Sequence, residues 1–300
     1  MAKTPWWKSK RNSSDDPEEF RATLVEHLEE LRDRIMRSVF ALALGWVAGW
    51  FLEPFAYGVL NRMARRAIEP RLPVGSKFEE VFRHVSDMFM LQLKLAFGIG
   101  LILAFPYIVL QIWWFVAPGL KPNERKPFLR LAPFSVFLFA LGVAFCWIIL
   151  PAALGWFADY LHNFPGTSLL QEPGTLILFC VKLLLAFGIG FQLPLVVWVL
   201  GALNLLSAET LLKYWRQSAT AIFIFAAIVT PSNDAFSMLM MAIPLTLLFI
   251  ISVYVVKFTQ RKQLRQREAQ IAPAKSPTTP RQAAEQTDAE SETEADIDQE

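Results

Sequence analysis

The chain holds only two cysteines among 300 residues, Cys146 and Cys180. Both lie inside apolar runs, which excludes a disulfide framework and leaves them as packing residues. No zinc-ligand spacing, phosphate-cradling loop or nucleophile motif occurs. No Ser/His set, Asp pair or metal set stands inside the apolar segments. The sequence therefore gives no support to an enzyme or to a bound cofactor.

The most informative lack is of charge. Windows 38–52, 95–120, 131–158, 183–208, 217–233 and 235–256 contain no Asp, Glu, Lys or Arg. A helix needs roughly 20 apolar residues to cross the hydrocarbon core. Four windows reach that length. The first extends from Ile35 to about Tyr57, and the fifth stays short because Pro231 ends it. The overall hydrophobic share is 54%, above the roughly 45–50% of soluble domains. The expected fold is an all-α integral membrane protein with six transmembrane helices. A cleavable signal peptide is not expected, because the first apolar run lies behind a mixed-charge segment and lacks a short small-residue cleavage site.

The placement of Lys and Arg sets the expected orientation. With the N-terminus inside, cytoplasmic segments hold 21 of them and outer loops 6. That bias places both termini in the cytoplasm. The 62–83 loop is an exception, since Arg62, Arg65, Arg66 and Arg71 would be exported, partly balanced by Glu69, Glu79, Glu80 and Asp87.

Three regions follow: a flexible cytoplasmic stretch at 1–19, a membrane domain at 20–258 and a disordered, increasingly acidic cytoplasmic tail at 259–300. Asp16-Pro17-Glu18-Glu19 is a helix start, and Phe20, Leu24, Leu28, Leu31 and Ile35 form one apolar stripe behind it. An outer loop is expected at 54–76. Phe78, Val81, Phe82, Val85 and Phe89 have the spacing of an amphipathic interfacial helix. Spans are expected near 90–115, 131–151, 174–201 (carrying Pro194), 214–230 and 235–257, with a cytoplasmic loop at 116–130 and outer connections at 152–173 and 231–234. AFGIG occurs at 96–100 and again at 186–190; small residues for close helix contact explain it, as would a duplication.

Seven of the nine residues in EHLEELRDR, 26–34, are charged or histidine. So much mixed charge beside a membrane span suggests a surface that recognises something charged. Taken alone it also reads as a solvated helix face with i,i+4 pairs.

Four segments in order, EHLEELRDR (26–34), IWWFVAPGLKPNER (112–125), FGIGFQLP (187–194) and TPSNDAFSMLMMAIP (230–244), resemble TatC, the polytopic subunit of twin-arginine protein translocases. The resemblance covers about 20–258. It implies a concave, glove-like, multi-pass protein of the bacterial cytoplasmic (inner) membrane. It implies a receptor for signal peptides with two adjacent arginines, working with the single-span proteins TatA and TatB to export folded cargo on the proton-motive force. It implies membrane lipid around the chain, a homo-oligomer within a larger complex, and no cofactor, metal or nucleic acid.

Residue by residue, Glu30 and Glu124 match the acids used for the arginine pair, and carboxylates suit planar guanidinium forks. Phe115 matches a residue lining that site; it also reads as an interfacial aromatic beside Trp113 and Trp114. Arg32 and Arg34 match family positions and would hold the carboxylates. His27 matches a family histidine, and surface packing accounts for it. Gln192 stands where the family often has Glu; it can hydrogen-bond but cannot carry a proton. Asp234 matches a family acid and also suits capping of the last span. Met238 occupies a position where the family often has a polar residue at the TatA or TatB docking helices. Lys94 and Lys182 snorkel outward. The two last spans are expected to be short, and so to thin the bilayer locally or tilt little. The alternative is a small-solute secondary transporter, which would need ionisable groups at the midplane and broken helices in both halves.

Overall fold

A computed structural model describes residues 17–116, 122–164, 168–202, 206–230 and 234–271. The helices are α1 (Pro17–Ile68), α2 (Val85–Val116), α3 (Pro122–Asp159), α4 (Pro173–Gly190), α5 (Leu193–Ala202), α6 (Ala208–Lys213), α7 (Trp215–Val229) and α8 (Ala235–Ile271). Two three-residue strands, β1 (Phe78–Glu80) and β2 (Leu169–Gln171), pair in parallel with Phe78 opposite Leu169. Five segments are long and apolar enough to cross a membrane, with α4 and α5 together making one; α7 is apolar but has only 15 residues.

α4 forms the centre, with eleven of its 18 residues buried. α1 lies at the periphery. Phe40, Leu44, Val47, Phe51 and Phe55 are exposed on it, as a lipid-facing surface requires, while Gly45 and Gly49 are buried. These glycines form the α1–α2 seam. A Cβ on Gly45 would sit 2.6 Å from the Gly100 carbonyl oxygen, and one on Gly49 would collide with that of Ala96. Without a water-driven hydrophobic force between helices in lipid, such close backbone approach is what gains packing energy. The repeated AFGIG segments serve the same need: Gly100 meets Gly45, and a Cβ on Gly190 would lie 2.9 Å from the Leu245 side chain.

Several boundaries differ from expectation. α1 does not end at the expected loop but runs through Pro54 to Ile68. Pro54 removes one backbone donor, yet Leu60, Ala64 and Ile68, spaced by four, are all buried and hold the extension in the core. The expected amphipathic helix at 78–89 is a strand followed by the start of α2. Phe78 is buried and Glu79 exposed, so the short apolar pattern is also compatible with alternation. α3 begins at Pro122, well before 131, with proline at a first-turn position that needs no N–H.

The expected single span at 174–201 is broken after Gly190. Pro194 cannot donate to the Gly190 carbonyl, and the amides of Phe191 and Gln192 bond instead to Phe187 and Ile189. α8 is not short. It continues past residue 258 to Ile271, and Gln260 on it accepts from the Ala208 amide at 3.0 Å and donates to the Gly201 carbonyl at 3.1 Å. Among the last two spans only α7 is short. Two of the four arginines at 62–71 form ion pairs: Arg65 with Glu69 at 3.0 Å and Glu80 at 3.2 Å, and Arg71 with Asp159 at 2.6 Å. Cys146 and Cys180 are free and buried.

The seam predicts a sharp contrast. Gly49→Leu is expected to lower stability by about 1–3 kcal/mol through overpacking, read as a fall in melting temperature in detergent. Gly58→Ala, whose Cβ would meet only the Arg62 side chain at 3.4 Å, should leave it within about 0.5 kcal/mol.

Candidate functional site

The α1–α2 seam keeps one antiparallel register. Gly45 meets Gly100, and eleven residues further along each helix Arg34 meets Gln111. Eleven residues make just over three full turns, so both helices present the same faces to each other again. Here small residues give way to polar and aromatic ones.

Arg34 is the hub. Its Nη1 donates to Gln111 Oε1 at 3.2 Å and its Nη2 to Glu30 Oε1 at 3.0 Å. Its guanidinium also lies 5.8 Å from the centroid of the Trp114 ring. Glu30 and Arg34 are half-buried, so their pair is less screened than a surface i,i+4 pair. Among the described residues, Glu30 Oε2 takes no partner. One turn back, the His27 ring stacks on Phe115 with centroids 4.6 Å apart and planes 17° from parallel. Below these groups runs an open groove of about 280 Å³, walled by Leu31, Ile35, Leu42, Ile108, Ile112 and Phe115. The arrangement offers a half-buried carboxylate above an apolar trough. It can take a cation whose neighbouring chain is apolar.

Arg32 stands apart. It is exposed and makes no ion pair among the described residues. Two residues from Glu30 on a helix, it faces away from it. Glu124 is the third residue of α3; its side chain lies outside the described residues. The α3 start is tied to the α2 end through residues 117–121, which limits their separation to about 20 Å. Gln192, Asp234 and Met238 do not join this groove. Gln192 sits at the α4–α5 break, where its Nε2 donates to the Ser135 carbonyl of α3 at 2.9 Å. Its Oε1 is buried and has no partner among the described residues. Asp234 Oδ1 accepts from the Ser237 amide at 2.6 Å, capping α8. Met238 packs against the core.

Sequence reasoning missed two polar residues. Gln111 is 2% exposed and anchors Arg34; as the lone side-chain amide in the 95–120 window it carried a readable signal. Glu53 is buried one turn beyond Gly49, at the end of the first charge-free window.

These features define a polytopic helical membrane protein with a carboxylate-bearing groove at one end of the bundle. The Sec-independent protein translocase protein (TatC) family model matches residues 26–244, and the chain belongs to that family. It is 38% identical over 243 residues to TatC of Carboxydothermus hydrogenoformans, covering 80% of this chain and 95% of that one. It is 32% identical over 245 residues to TatC of Aquifex aeolicus, covering 80% and 97%. A crystal structure of the twin-arginine translocase receptor TatC superposes with a TM-score of 0.66 at 29% identity, covering 78% of this chain and 99% of that one. The chain is thus a membrane-embedded component of Sec-independent protein translocation.

The Gln192 bond predicts a small effect. Gln192→Leu removes one interhelical hydrogen bond and one unpartnered oxygen together, so the loss of stability should stay within about 1 kcal/mol. A detergent melting curve checks this.

Proposed function

We propose that this protein is the receptor and core subunit that binds twin-arginine signal peptides and, with TatA and TatB, exports folded proteins on the proton-motive force. In this reading the termini are cytoplasmic, α7 is the sixth, short span, and 20–258 is the functional membrane domain, with a flexible stretch before it and a polar tail after it. The groove between α1 and α2 then opens at the inner leaflet of the cytoplasmic membrane. Several copies work in one complex.

The observation that carries the proposal is the Glu30–Arg34–Gln111 chain. Arg34 holds the Glu30 carboxylate in place through one oxygen and leaves the other to an incoming guanidinium. When that guanidinium arrives, Gln111 and the Trp114 ring keep Arg34 from collapsing onto the ligand. Glu124 supplies the second carboxylate from the start of α3, and Phe115 borders the groove that takes the peptide's apolar stretch. Arg32 contributes positive potential at the rim, which disfavours a lone cation that lacks bidentate pairing. Asp234 and Met238 lie on the helix pair that meets the single-span partners. The transporter alternative needs breaks in both halves of the bundle; α4 is interrupted near Pro194, while α2 continues through Pro106.

Capture of labelled peptides by the purified full chain tests this. A peptide with two arginines should bind on the order of tenfold tighter than its two-lysine counterpart. Glu30→Gln and Glu124→Gln should each erase most of that preference without changing the melting temperature by more than a few degrees. Equal capture of both peptides by the unaltered protein contradicts the proposal.

A further inference from the structure

A second, larger cavity of about 790 Å³ opens at the opposite end of the bundle, beside β1 and β2. Its wall is largely apolar and aromatic, with Phe157, Leu161, Leu178 and Phe179 among its residues, and five charged side chains line it: Asp87, Glu172, Asp234, Lys94 and Lys182. The three acids are engaged at helix N-termini. Asp87 Oδ2 accepts from the His84 amide at the start of α2, at 2.8 Å. Glu172 Oε2 accepts from the Thr175 hydroxyl at the start of α4, at 3.0 Å. Asp234 caps α8. Each also sits in the positive field of its helix dipole. The two lysines are different. Among the described residues neither makes an ion pair or a hydrogen bond.

Lys94 is the tenth residue of α2 and Lys182 the tenth of α4, so each lies about 13 Å from its own helix start. The two helices touch between the lysines, where a Cβ on Gly98, one turn after Lys94, would come within 2.7 Å of Cγ1 of Val181, the residue before Lys182. Cα–Cβ bonds tilt toward a helix N-terminus, so both lysine stems lead back toward the cavity mouth. Two unpaired cations at membrane depth are costly, and an anion between them would offset that cost.

We propose that this cavity binds one anionic phospholipid from the leaflet on the β1–β2 side. Lys94 and Lys182 clamp the headgroup phosphate, and the aromatic wall takes the acyl chains. The volume exceeds that of a bare phosphate, and bilayer lipid is present at high local concentration around a membrane-embedded chain. The three acids each sit at a helix N-terminus, where a helix dipole offsets their charge, so the two lysines are the charges without a fixed counterpart and anionic lipid is preferred. The site is separate from the α1–α2 groove and does not depend on peptide binding there.

Native mass spectrometry of the full chain, titrated with phosphatidylglycerol or phosphatidylethanolamine, tests the site. One phosphatidylglycerol should be retained on the order of tenfold more tightly than phosphatidylethanolamine. The Lys94→Gln/Lys182→Gln variant should lose that preference, and Lys94→Arg/Lys182→Arg should keep it. Lys77→Gln/Arg83→Gln, which removes charges at the same end but outside the cavity, should behave like the unaltered chain. Equal retention of the two lipids by the unaltered chain overturns the proposal. So does undiminished preference in the double glutamine variant, or displacement of the lipid by millimolar inorganic phosphate. If the glutamine variant does not fold, the lipid comparison on the unaltered and arginine chains still decides.

Discussion

The α1–α2 seam is the constraint on which the site depends. Gly45 and Gly49 let α1 lie backbone to backbone against Ala96 and Gly100. That contact fixes axial position and rotation together, because only glycine faces permit it. Three turns further along, the same register delivers Arg34 to Gln111, and two turns beyond that His27 stacks on Phe115. A slip of one residue on either helix would rotate Glu30 by about 100° away from the groove. A packing motif with no chemistry of its own thus sets the geometry of the carboxylate.

Polar groups at membrane depth are held by two devices. Gln111 and Gln192 each bond across to another helix, and Ser252, Thr246 and Thr230 bond back to carbonyls of their own helices. Near the end of α1, Arg65 is met by Glu69 and Glu80, and just beyond it Arg71 is met by Asp159.

Much of the fold was legible because charge-free windows of membrane length rarely occur outside membrane spans. The helix start at Pro17, the span ending near Val116 and the α7 limits all follow from local signals. What was not legible came from tertiary packing. Pro54 reads as a helix terminator, but burial of Leu60, Ala64 and Ile68 carries α1 onward. Phe78 to Phe89 has helical spacing, but pairing with residues 169–171 makes its first part a strand. Gln260 lies in a hydrophilic stretch, yet its side chain joins α8 to the ends of α5 and α6. For the site, Glu30, Arg34 and Phe115 stand out through a charged motif and a family resemblance. Gln111 stands out only as the lone amide of an apolar run, and its role shows once Arg34 is placed beside it.

The central claim is that Glu30 and Glu124 stand at the same end of the bundle, close enough for one dipeptide to reach both. The most direct measurement is the distance between spin labels placed at these two positions, with Cys146 and Cys180 replaced by alanine. For one pair of adjacent arginines to reach both carboxylates, the account requires a separation of about 25 Å or less. A distance well above about 30 Å, the thickness of the hydrocarbon core, would contradict the account.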